Sequence, residues 1–154
     1  MPELDHPTYM NMAIELACQN LKRPFGTVII DSTTGELAAE GINKAYTNPV
    51  LHSDMAALHA LAARYSDLDW GRYTLYTTAE PNPMCMSAIL WARLGCVVYG
   101  TSRETLAELG FRHIHISARE VVDQAVDLRC DLIPGIMKSE CDALFTAAAK
   151  LEKL

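Results

Sequence analysis

Two short stretches carry the reactive side chains of this chain: His52-Ser53-Asp54 and Pro81-Asn82-Pro83-Met84-Cys85. Between them they offer an imidazole, a carboxylate, an amide and a thiol. An imidazole nitrogen and a thiolate sulfur are ligand types that Zn²⁺ takes. A cysteine, a histidine and an acid are equally the parts of a metal-free nucleophilic site. Pro83 suits the first turn of a helix, where its missing N–H would have been unpaired in any case. Cys85 then stands at a helix N-terminus, where the dipole lowers a thiol pKa.

These residues need a frame, and the periodicity of the chain supplies one. Tyr9, Met12, Ala13, Leu16 and Ala17 repeat at helical spacing, which predicts a helix from Pro7 to Leu21, stopped by Pro24. Thr27-Val28-Ile29-Ile30 is a β-branched run that ends in the turn cluster Asp31-Ser32-Thr33-Thr34-Gly35, and Leu37 to Gly41 returns as a hairpin strand. A helix is expected over Ser53–Arg64, a strand over Tyr73–Thr77, a helix over Met84–Arg93 and a buried strand over Cys96–Tyr99. Thr101 with Glu104 has the spacing of a capping box for a short helix closed by Gly110. Phe111–Ile116 is expected to be a strand or extended. Ser139 opens a last helix over 139–152, with Cys141, Leu144, Phe145, Ala148 and Leu151 on one face. A hairpin followed by strand-helix-strand units implies an α/β chain, an α-β-α sandwich with a mixed sheet of about five strands. In such a sheet both reactive stretches gather at one edge.

At 154 residues the chain is read as a single domain, 1–154. A net charge of −6 repels phosphate backbones, so nucleic-acid partners are disfavoured and a small molecule is expected. The cysteines number five and are scattered, so they form no disulfide framework. The start, Met1-Pro2-Glu3-Leu4-Asp5-His6, is acidic and lacks an apolar run. This predicts no leader, no membrane partner and a cytoplasmic location. His59 follows His52 by seven residues, about 10 Å along a helix axis, so the two cannot share a metal. His113 and His115 are read as solvent-facing polar residues.

The motifs together resemble the cytidine-deaminase-like superfamily. Thr77-Thr78-Ala79-Glu80-Pro81 with Pro83-Met84-Cys85-Met86-Ser87-Ala88-Ile89-Leu90-Trp91-Ala92 is similar to the second motif of guanine deaminases and tRNA-adenosine-deaminase-like proteins. Pro24-Phe25-Gly26-Thr27-Val28-Ile29 resembles their first strand, and Gly41-Ile42-Asn43 the segment whose Asn meets the base. The resemblance runs over roughly residues 7–120. It implies the cytidine-deaminase-like fold, hydrolytic removal of an amino group from a nucleobase, and a homodimer. It leaves two places for the C-terminal helix, on its own domain or on a neighbouring subunit. It makes Phe25 a surface for the base, Asn43 and Asn82 polar contacts, and Trp91 a pocket wall. It places zinc on His52 and Cys85.

Two positions depart from the family pattern of His-x-Glu and Pro-Cys-x-x-Cys. Asn82 stands where the first thiolate belongs, and a neutral amide oxygen is a poor ligand for Zn²⁺. Asp54 stands where the proton-carrying Glu belongs and is one methylene shorter. No acidic residue stands at Thr105, and Glu104 beside it is out of register for guanine. Three readings stay open. A divergent deaminase would use His52, Cys85 and Asp54, with zinc weakly held or absent. A metal-free hydrolase, transferase or cyclase would use Cys85 as nucleophile with His52 and Asp54. A silent binding or scaffold subunit would keep the frame alone.

Overall fold

In the computed structural model, which describes residues 3–66 and 68–152, the sheet has five strands in the order β2-β1-β3-β4-β5. Met1 and Pro2 of the acidic start lie outside the described residues. The strands are β1 (Gly26–Asp31), β2 (Leu37–Ile42), β3 (Tyr73–Ala79), β4 (Cys96–Thr101) and β5 (Asp131–Ile133). β1 runs antiparallel to both β2 and β3, whereas β3, β4 and β5 are parallel. The helices are α1 (His6–Ala17), α2 (Ser53–Arg64), α3 (Pro83–Ala92), α4 (Arg103–Glu108), α5 (Ala118–Gln124) and α6 (Lys138–Glu152). This is the mixed sheet between helices that the sequence predicts.

Strand alternation sorts the core into two layers. Ile29, Leu75 and Val97 point to one face, where Leu58, Leu61, Met86 and Ile89 of α2 and α3 cover them. Val28, Ile30, Tyr76 and Val98 point to the other, against Met10 and Ala13 of α1 and Cys141 of α6. Thr27 and Thr77 are cross-strand partners in register, on the face that α2 and α3 cover. Gly41 brings α2 close to the sheet. A Cβ there would lie 2.4 Å from the Ser53 carbonyl oxygen, so a side chain would push the start of α2 away.

Several sequence expectations need correction. α1 ends at Ala17, not Leu21, and Asn20 turns the chain by accepting the Arg23 N–H at 3.2 Å. α4 is capped by Ser102, not Thr101. Thr101 instead donates to Asp142 at 2.7 Å and ties β4 to α6. Phe111–Ile116 is not a strand. The fifth strand is β5, and α5 lies between that segment and it. His113 and His115 sit in this loop, both exposed. α6 packs on β4 of its own chain. Among the described residues, no helix is long and apolar enough to cross a membrane.

Candidate functional site

The candidate site forms where the first turns of α2 and α3 meet. His52 is the N-cap of α2 and its side chain makes no capping bond, so the ring is free to turn toward α3. Asn82 is the N-cap of α3, and its Oδ1 accepts the Cys85 N–H at 2.9 Å. A backbone N–H can only donate, so that bond fixes which end of the amide is oxygen. The Asn82 Nδ2 then faces His52 Nδ1 at 3.0 Å and donates to it. His52 therefore carries its proton on Nε2 when neutral.

Asp54 lies beneath this pair, 5 % exposed. Thr27 Oγ1 donates to its Oδ1 at 2.6 Å and lies 2.8 Å from Ser53 Oγ and 3.2 Å from Thr77 Oγ1. Burial pushes the Asp54 carboxyl up. The hydroxyls of Thr27 and Thr77, then His52 and Cys85, oppose that shift. Cys85 is 1 % exposed. Burial first, and the neighbouring Asp54 carboxylate second, push its thiol well above the ordinary range. The helix N-terminus that the sequence suggested would activate this thiol is outweighed by desolvation and by the acid beside it.

This donor set does not fit a zinc ion. A ligating histidine needs a nitrogen with a free lone pair; the Asn82 amide takes that of His52 Nδ1, and Nε2 then carries the proton. Oδ1 of Asn82 is committed to a backbone N–H. With Asn82 in place of a cysteine, Cys85 is the only thiol the cluster offers, where the family pattern has two. Among the described residues, no group of three His, Cys, Asp or Glu side chains is placed to hold a metal.

The other site candidates lie at varying distances from this cluster. Asn43 is buried at 7 % exposure just past the end of β2, the strand that Gly41 presses against α2. Its Oδ1 accepts the Ala45 N–H at 2.8 Å, so its amide nitrogen is the end that can meet a ligand. Phe25 packs against Phe145 and Phe111, with ring centroids 4.9 and 6.3 Å away. Trp91 is 77 % exposed, six residues beyond Cys85 and so about 9 Å further along α3.

Sequence reasoning missed the residues that support the cluster. Thr27, Ser53 and Thr77 form the hydroxyl bed under Asp54, and the alternation of Thr27 with Ile29 was the signal that could have found it. Glu80 was read only as part of a motif. Its carboxylate is 9 % exposed and accepts the Arg103 N–H at 3.1 Å and the Ala118 N–H at 2.9 Å. One side chain just ahead of Asn82 therefore holds the first turns of α4 and α5.

A sequence model of the cytidine and deoxycytidylate deaminase zinc-binding region matches residues 4–101, which include every residue of the cluster. The chain belongs to this deaminase family. Relatives agree with the assignment. A guanine deaminase from Bacillus subtilis is 34 % identical over 114 residues, covering 70 % of this chain and 72 % of that protein. A tRNA-specific adenosine deaminase from Streptococcus pyogenes serotype M1 is 27 % identical, covering 90 % of this chain and 80 % of that one. The fold is shared with a solved guanine deaminase from Nitrosomonas europaea at a TM-score of 0.80 and 20 % identity, covering 94 % of this chain and 84 % of that chain. The deaminase family frame is thus intact, while Asn82 and Asp54 depart from the pattern within it.

Proposed function

We propose that this deaminase-family chain acts on a small planar amino-heterocycle of the nucleobase class, at the meeting point of α2 and α3. The observation that carries this reading is the convergence of His52, Asp54, Asn82 and Cys85 there. The guanine deaminase relative supports a nucleobase as the ligand class. In this reading His52 offers Nε2–H as a donor and Asn43 its amide nitrogen, and together they orient the ring. The reaction is hydrolysis of a C–N bond, with Asp54 as the carboxyl group that takes and returns the proton. The chain acts without a membrane, and two copies pair as a homodimer in the cytoplasm.

Titrating the protein with guanine, adenine and cytosine while recording ammonia release tests this. At least one base should bind saturably, and Asn43→Ala should weaken it about 3- to 10-fold, the worth of one neutral hydrogen bond. No binding and no ammonia from any of them would remove the proposal.

The burial of Asp54 against Thr27 favours a second reading, in which the base binds and is not turned over. Saturable binding with no ammonia would select it. A role for Cys85 as nucleophile is opposed by the burial that keeps its thiol protonated.

A further inference from the structure

The family description names zinc, and the residues of this chain that occupy the matched region do not suit it. What they do instead is visible in the hydrogen bonds. A metal in a protein site joins separate elements by accepting a ligand from each. Here α2 and α3 touch each other, and the Asn82 side chain bonds to both of their first turns. Asn82 accepts from the Cys85 N–H at 2.9 Å with its oxygen and donates to His52 Nδ1 at 3.0 Å with its nitrogen. An amide is suited to this because it carries an acceptor and a donor on one rigid group. A cysteine at the same position is only a weak donor and a weak acceptor, and would hold both bonds less well. His52 meets it because the N-cap conformation leaves the ring without a bond to its own helix. Beneath them, Asp54 accepts from Thr27 of the sheet and lies beside Cys85.

We propose that Asn82 takes over the joining role of a metal, so that this chain folds and holds its candidate site without zinc. The proposal rests on reading His52, Asn82 and Cys85 as the family's site, and its test is separate from any ligand or turnover.

The experiment is metal analysis and thermal unfolding of the full chain, purified without added zinc, with and without a strong chelator. The expected result is substoichiometric zinc and a Tm that the chelator does not move. Asn82→Ala removes both the acceptor for the Cys85 N–H and the donor to His52. It should melt about 2–4 °C lower, still without metal. Asn82→Cys should take up one zinc per chain, and its Tm should then fall when the chelator is added.

Stoichiometric zinc in the unaltered protein, lost together with thermal stability in chelator, would overturn the proposal. So would an Asn82→Ala protein as stable as the original. A zinc-free, chelator-resistant protein that binds no nucleobase would leave this inference standing and remove the proposed function. A zinc-containing protein that releases ammonia would do the reverse.

Discussion

Thr27 holds the candidate site from beneath. Its hydroxyl donates to Asp54 at 2.6 Å in a buried region, so that carboxyl group depends on protein partners for its hydrogen bonds. Thr27→Val keeps the shape and removes the donor. The expected cost is about 1–3 kcal/mol, because a buried acceptor is left short of a partner. A lowered urea midpoint with an unchanged m-value would show it, and Thr27→Ser should recover most of the loss. At this scale the four reactive residues were legible from type and spacing. Their state was not. The sequence placed Cys85 at a helix start, which favours a thiolate. The tertiary structure buried it against Asp54, and that pushes the thiol up.

Short helices need their ends tied, and α4 and α5 share one tie. Glu80 accepts the N–H of Arg103 and of Ala118, one on each carboxylate oxygen. Glu80→Ala should cost on the order of 2–4 kcal/mol, from two N–H groups that lose an anionic partner. Hydrogen exchange should quicken first at the start of α4 and α5, while the strands β1 and β3 stay protected. Glu80→Gln, which keeps one accepting oxygen, should fall between the two. Element boundaries were legible where a periodic run met a turn residue, as for α2 over Ser53–Arg64. They were misread after Gly110. The alternating Phe111–Ile116 segment pairs with no strand, and β5 takes the place beside β4. A capping box does exist in this region, with the spacing read at Thr101 and Glu104, but it is Ser117 with Glu120 at the start of α5.

Across the whole molecule, the C-terminal helix closes the fold through one aromatic contact. Phe145 of α6 is fully buried against Phe25 before β1 and Phe111 after α4, with centroids 4.9 and 5.7 Å away. Three segments far apart in sequence meet there. Phe145→Ala should cost about 3–5 kcal/mol and lower the Tm on the order of 10 °C in a circular-dichroism melt. Phe145→Leu should cost much less, because it keeps most of the volume. The same contact accounts for Phe25, which the resemblance assigned to the base and which lies against these two rings.

The sequence by itself determined the frame and the ancestry. Strand alternation, helical periodicity and turn residues are local signals, and the spaced motifs from Pro24 to Ala92 record the family. Only the tertiary structure decided what the altered positions do. Asn82 reads in sequence as a lost ligand, because its partner His52 is thirty residues away. Asp54 reads as a shortened base, because the hydroxyls that hold it come across the β1–β3 register. Hydrogen bonding and desolvation depend on which groups meet in space, and spacing along the chain does not contain that.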